Sequence, residues 1–324
     1  MRGFVRALVA AALISSSAAA SDECTRIRGF TIPLKPVEDV GYLLPVGVAD
    51  TPRQFVLESG FAYTKMDETI ADELKLPKKS LPKDMRVVDS AGAFTRIATV
   101  PSLKIGPLPR AHVEVLIGSH RPSWGPADGV AGANIFYGLD VELDLAHQRL
   151  GLYLPREGCT FEPFWPAVEW GSADYKTLPT GGSYLPMELD GKQLIVTLNP
   201  STTRTYMPAA AARMLFGIDA GDPRLVSAGP RSGDGKMLFR FPFKSLSGGH
   251  NVTVQDPEIY IVADGDRCGS ARDLNAWSLG LPENVCFGGG DLRLGINLLK
   301  KLHFFFTFKD KKVYFTLAEP PTPK

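Results

Sequence analysis

The chain carries the same pattern twice, and this repetition limits its possible folds more than any other feature. Phe55-Val56-Leu57-Glu58-Ser59-Gly60 leads, eight residues past Glu58, to Met66 and then to Ala71, Leu74 and Leu76 at helical spacing. Leu194 to Leu198 and Asn199-Pro200-Ser201 lead in the same way to Met207, Ala212 and Leu215, an offset of 199 − 58 = 141. A second pair of blocks, Gly132-Ala133-Asn134-Ile135-Phe136 and Gly295-Ile296-Asn297-Leu298-Leu299, is offset by 297 − 134 = 163. The difference, 163 − 141 = 22 residues, is an insertion in the second copy, expected in the segment that holds Cys268 and Cys286. The 324 residues therefore read as two divergent copies of one domain in tandem, each near the usual domain size.

Within each copy an apolar strand (Gln54 to Leu57; Gln193 to Leu198) runs into a tight polar turn, and a short helix follows (Asp67 to Leu74; Pro208 to Leu215). Each copy closes on strict alternation. Val141, Leu143 and Leu145 interleave with Glu142 and Asp144, then come a turn at Ala146 to Gln148 and Leu150, Leu152 and Leu154. The counterpart is Phe304 to Phe308, the turn Lys309-Asp310-Lys311, and Val313 to Leu317. Period-two alternation predicts half-buried antiparallel strands. With 32 glycines and 26 prolines punctuating the chain, the expected class is mainly β. Residues 156–182 show no sustained periodicity and read as a linker between domains at 21–155 and 183–318, with a short tail at 319–324.

Residues 1–20 read as a cleavable export signal: Arg2 and Arg6 at the start, an apolar stretch from Ala7 to Ile14, and Ala18-Ala19-Ala20 as the cleavage site. The apolar run is shorter than the roughly 20 residues a spanning helix needs. An exported protein, periplasmic or secreted and not inserted in a membrane after cleavage, is expected. Its four cysteines, Cys24, Cys159, Cys268 and Cys286, are then disulfide candidates, with three pairings open. The cysteines lack zinc-site spacing and the five histidines form no helical pair, so no metal or other cofactor is expected. A formal net charge of +1, with no basic block, argues against a nucleic-acid partner.

Each copy resembles a lobe of the retropepsin-type aspartic proteases. The residues that carry the likeness are the apolar strand entering a polar turn, the helix with its Ala and Leu spacing, the Gly-x-Asn-x-(Phe/Leu) blocks and the closing hairpins. Glycine-bearing stretches at Asp89 to Ala93 and Gly229 to Gly235 take the place of flap hairpins. The likeness covers Pro33 to Leu154 and Ser183 to Leu317. It implies a two-lobed acid-protease fold of two tandem β-barrel lobes facing each other across a cleft, each lobe offering one turn. The family's Asp-Thr-Gly turns fall on Glu58-Ser59-Gly60 and Asn199-Pro200-Ser201. Glu58 and Asn199 thus stand at the catalytic positions, and Ser59, Gly60, Pro200, Ser201 and the flap residues Ser90, Ala91 and Gly92 are candidate ligand contacts.

The mechanism implied by the family needs two carboxylates that share one proton. Asn199 cannot ionise, and Pro200 offers neither hydroxyl nor N–H. The sequence therefore points to a monomeric protein that has lost peptidase activity and binds an extended peptide or protein segment in the cleft by strand addition. The rival readings are an endopeptidase that uses Glu58, and a structural or assembly scaffold.

Overall fold

The computed structural model describes residues 29–58, 63–82, 87–89, 92–155, 165, 169–177, 183–231, 235–249, 251–263, 268–270, 284–286 and 290–319. The expected leader, Cys24, Cys159, Ser59, Gly60, Ser90 and Ala91 lie outside the described residues. Among the described residues no helix is long and apolar enough to cross a membrane.

The architecture is mainly β and two-lobed. In the first lobe Gly41–Val48 and Thr51–Leu57 pair antiparallel through the two-residue turn Ala49-Asp50, whose φ values are 47° and 64°. The counterpart, Ser183–Leu189 with Lys192–Leu198, turns through Asp190-Gly191 at φ 46° and 80°. Two successive left-handed residues give the turn twist that matches paired strands. Asp190-Gly191 suits this conformation, and Ala49 adopts it without the help of glycine. The two turns are 190 − 49 = 141 residues apart.

The first lobe's sheet has eight strands. It runs Lys35–Val37, Gly41–Val48, Thr51–Leu57, Gly129–Ala131, Lys65–Asp67, Leu108–Gly118, Arg96–Ile105 and Lys78–Ser80, and it closes where Gly41–Val48 also pairs with Arg96–Ile105. The second lobe's ten-stranded sheet repeats the central order with Lys192–Leu198, Leu292–Leu294, Thr205–Pro208, Ile259–Val262 and Met237–Phe241. The expected helices form at Glu68–Glu73 and Ala209–Phe216. Asp67 caps the first by accepting from the Thr69 amide at 2.9 Å, and Gly217, left-handed at φ 65°, ends the second. The described residues on either side of the flap-like stretches form antiparallel pairs, Val87–Asp89 with Gly92–Phe94 and Val226–Pro230 with Met237–Phe241.

A six-stranded sheet joins the lobes. Its order is Gly29–Pro33, Arg149–Tyr153, Asp140–Asp144, Leu302–Thr307, Lys312–Leu317 and Gly171–Asp174. The strand Gly171–Asp174 lies in the segment read as a linker. It pairs with Lys312–Leu317 as Gly29–Pro33 pairs with Arg149–Tyr153, and Ser172 is the counterpart of Thr31, 172 − 31 = 141.

One face of the joining sheet, with Leu143, Leu150, Leu152, Phe304 and Phe315, is continuous with the core of both lobes. The other face departs from the half-buried expectation, because Glu142, Asp144, His303 and Phe305 are all buried as well. Trp165 covers it, stacking on His303 with centroids 3.7 Å apart and donating its indole N–H to Thr316 Oγ1 at 3.0 Å.

Candidate functional site

In the first lobe, Thr51–Leu57 delivers Glu58 to the end of a strand hydrogen-bonded along Gly129–Ala131. The Glu58 amide donates to the Ala131 carbonyl at 3.0 Å. Gln54 and Asp128 fix this register: the Gln54 amide donates to Asp128 Oδ2 and the Asp128 amide to the Gln54 carbonyl, both at 2.8 Å. Behind the turn, Asn134 Oδ1 accepts from both the amide and the hydroxyl of Thr64 at 2.8 Å. The Thr64 hydroxyl accepts from the Gly132 amide at 3.1 Å, and Asn134 Nδ2 donates to the Glu114 carbonyl at 3.1 Å. Glycine is required at 132, since a Cβ there would lie 2.5 Å from the Tyr63 carbonyl oxygen.

The second lobe builds the same scaffold bond for bond. The Asn199 amide donates to the Leu294 carbonyl at 2.8 Å, and Ile195 and Asp291 exchange amide bonds at 2.8 Å as Gln54 and Asp128 do. Asn297 Oδ1 accepts from the amide and hydroxyl of Thr205 at 2.8 Å. The Gly295 amide donates to the Thr205 hydroxyl at 2.9 Å, and Asn297 Nδ2 donates to the Glu258 carbonyl at 2.8 Å. The offset is 258 − 114 = 144 at the glutamates and 291 − 128 = 163 at the aspartates. The insertion therefore falls mainly between Ile259–Val262 and Leu292–Leu294, where Cys268 and Cys286 stand directly opposite each other in a two-stranded ladder.

The two scaffolds hold different chemistry. Glu58 Oε2 lies 3.4 Å from Lys65 Nζ, with the side chains only 19% and 6% exposed. The carboxylate is thus matched by a cation on the next strand of its own lobe. Asn199 Oδ1 accepts from the Ser201 amide at 3.3 Å and the Ser201 hydroxyl at 2.6 Å, an Asx-turn closed on itself. Pro200 is buried, and a Cβ at Gly41, whose φ is +119°, would sit 2.6 Å from the Pro200 carbonyl oxygen. Glycine at 41 lets the first lobe approach the second lobe's turn closely.

Leu57 and Leu198, the residues preceding Glu58 and Asn199, line one apolar cavity of about 100 Å³ together with Val141, Leu143 and Phe306. The strand ends that lead into Glu58 and Asn199 thus meet at one cavity above the joining sheet. Of the remaining expected contacts, Gly92 pairs opposite Asp89 in the first flap hairpin.

Reasoning from the sequence missed Thr64 and Thr205, Asp128 and Asp291, and Lys65. The first four obey the offsets 141 and 163 and could have been found by extending the repeat. Lys65 could not, because its counterpart 141 residues on is Tyr206. Among the described residues, Glu142, Asp144 and His303 form a cluster with metal-type donors. Its carboxylate oxygens lie against the Tyr153 hydroxyl, the Arg149 guanidinium and the His147 and His303 rings.

A family model for aspartyl proteases matches residues 44–135, the part of the first lobe that holds Glu58 and the Thr64 scaffold. The fold is similar to the crystal structure of the aspartic proteinase from Irpex lacteus, with a TM-score of 0.55 and 15% identity over 91% of this chain and 98% of that one. No curated protein matches the sequence. In sequence over the first lobe and in fold over both, the chain is aspartic-protease-like.

Proposed function

We propose that this aspartic-protease-like chain is an exported protein that holds an extended peptide or protein segment between its lobes without hydrolysing it. The observation that carries the reading is the state of the two catalytic positions. One holds a carboxylate engaged by a buried ammonium group, and the other an amide engaged by its own turn. An aspartic mechanism needs two carboxyl groups close enough that only one is ionised, so that one activates water while the other polarises the carbonyl. Asn199 can neither give nor take that proton.

The scaffold bonds that position both turns are kept even though the acid pair is not. Two hairpins supply strand edges for main-chain recognition. Val226–Pro230 is an outer strand of its sheet, and Val87–Asp89 and Gly92–Phe94 pair only with each other among the described residues.

The test is a diverse peptide library offered to the purified chain starting at Ser21, from about pH 3 to 8, the range over which carboxylate catalysis is expressed. Retention of peptides without cleavage is expected. Cleavage that vanishes in Glu58→Gln would overturn the reading and make the chain an endopeptidase. Neither retention nor cleavage would leave the scaffold role.

A further inference from the structure

We infer that the first lobe binds a small organic acid in a cavity anchored by Arg110, independently of any peptide between the lobes. The cavity measures about 280 Å³ and is lined by the strand from Arg110 to Glu114 together with Tyr63, Asn134, Ile135 and Tyr137. Ala111, His112 and Glu114 are exposed, so it opens to solvent. At the share of volume a water occupies, it has room for about nine water-sized groups.

The backbone explains why a cation stands here. Leu108 and Val113 both pack against the core although they are 113 − 108 = 5 positions apart, so the strand exchanges its inward face between them. The left-handed residue between them is His112, at φ 54°. The ladder to Arg96–Ile105 skips it and Pro101 opposite, a residue with no N–H to give. Before the exchange, Arg110 shares the inward face with Leu108 and pairs with the fully buried Leu103.

The second lobe has the same device. With the offset of 144 set by Glu114 and Glu258, His112 corresponds to Asp256, also left-handed at φ 45°, and Arg110 corresponds to Val254. Val254 is buried in the core. The first lobe therefore holds a guanidinium where its twin holds a core valine.

That guanidinium has no acid beside it. Its Nη2 donates to the Tyr137 carbonyl at 2.5 Å, its Nε is buried without a partner, and its Nη1 makes no bond among the described residues. Burial holds the Arg110 pKa below the ordinary arginine value. The one acid in the lining, Glu114, is matched by Lys79 at 2.6 Å, and the Asn134 amide is used in the Thr64 scaffold. A half-buried cation without a counter-charge is costly. A ligand carboxylate supplies that charge and accepts from the guanidinium, while Val113, Ile135 and the tyrosines receive its apolar body.

The test is isothermal titration calorimetry of the chain starting at Ser21 with benzoate, its neutral analogue benzamide, and inorganic phosphate. Benzoate is expected to bind at one site and to weaken as salt rises, with benzamide at least about tenfold weaker. Arg110→Gln, provided its unfolding midpoint is unchanged, should lose about tenfold or more of the benzoate affinity. Should that variant fold poorly, Arg110→Val, which copies the second lobe, replaces it with the same expectation. Equal affinity for benzoate and benzamide, or undiminished benzoate binding by the folded Arg110 variant, would overturn the inference. So would phosphate binding tighter than benzoate, which would make the cavity a site for inorganic oxyanions, and so would the absence of any benzoate binding.

Discussion

Thr64 and Thr205 are fully buried, and each hydroxyl both donates to an asparagine and accepts from a glycine amide. Removing the hydroxyl at constant shape, as in Thr64→Val or Thr205→Val, leaves a buried glycine N–H unpaired and one lone pair of the asparagine oxygen unused. Each variant should cost about 1 to 3 kcal/mol, with similar costs in the two lobes because the bonds are matched one for one. Urea unfolding monitored by tryptophan fluorescence would show this, and a neutral effect in either lobe would break the claimed equivalence. The sequence displayed the Gly-x-Asn blocks because that combination is uncommon. It hid the threonines because a single threonine is not. Lys65 was illegible for another reason: its pairing with Glu58 depends on how the chain reverses between them, and no repeat marks it.

The closing strands were legible as elements because alternation of Val141, Leu143 and Leu145 with acids is a strong strand signal. Alternation identifies the face that meets the core and says nothing about a cover on the other face. Here Trp165 from the connecting segment supplies that cover. Burial raises the Glu142 pKa, but hydrogen bonds from His303 and Tyr153 and the charges of His303 and Arg149 more than offset this, so it lies below the ordinary glutamate value of 4.5. A folded pKa below the unfolded one contributes stability that is complete above the unfolded value and is lost as pH falls through the folded one. The joining sheet is therefore expected to weaken in acid. Thermal unfolding midpoints measured across pH should show the native chain's advantage over Glu142→Gln shrinking as pH drops below 4.5. A pH-independent difference would mean that the carboxylate contributes nothing through its charge.

At the scale of the molecule, the joining sheet locates the axis that relates the two copies. Val141 pairs with Phe306, Glu142 with Phe305 and Leu143 with Phe304. With the offset of 163, Phe306 is the counterpart of Leu143, Phe304 of Val141 and Phe305 of Glu142 itself. The pseudo-twofold axis thus passes through the Glu142–Phe305 pair. Two identical copies would place glutamate against glutamate there, a buried like-charge pair that neither copy could relieve. The tandem chain sets phenylalanine on one side and uses His303, the counterpart of Asp140 (303 − 163 = 140), to pair with Glu142 at 2.9 Å. Divergence at the axis makes the halves complementary to each other and not to themselves. Phe305→Glu restores the symmetric pair in the whole chain. Phe305 is fully buried, so this change should cost about 4 kcal/mol or more at neutral pH, against about 1 to 3 kcal/mol for Phe305→Leu, which loses the ring's packing on Tyr153 and Trp165 but adds no charge. The excess should shrink in acid as the second carboxylate is protonated. Denaturant midpoints at neutral and acid pH would settle it: if Phe305→Glu proved no worse than Phe305→Leu, charge at the axis would have played no part in fitting the two lobes together.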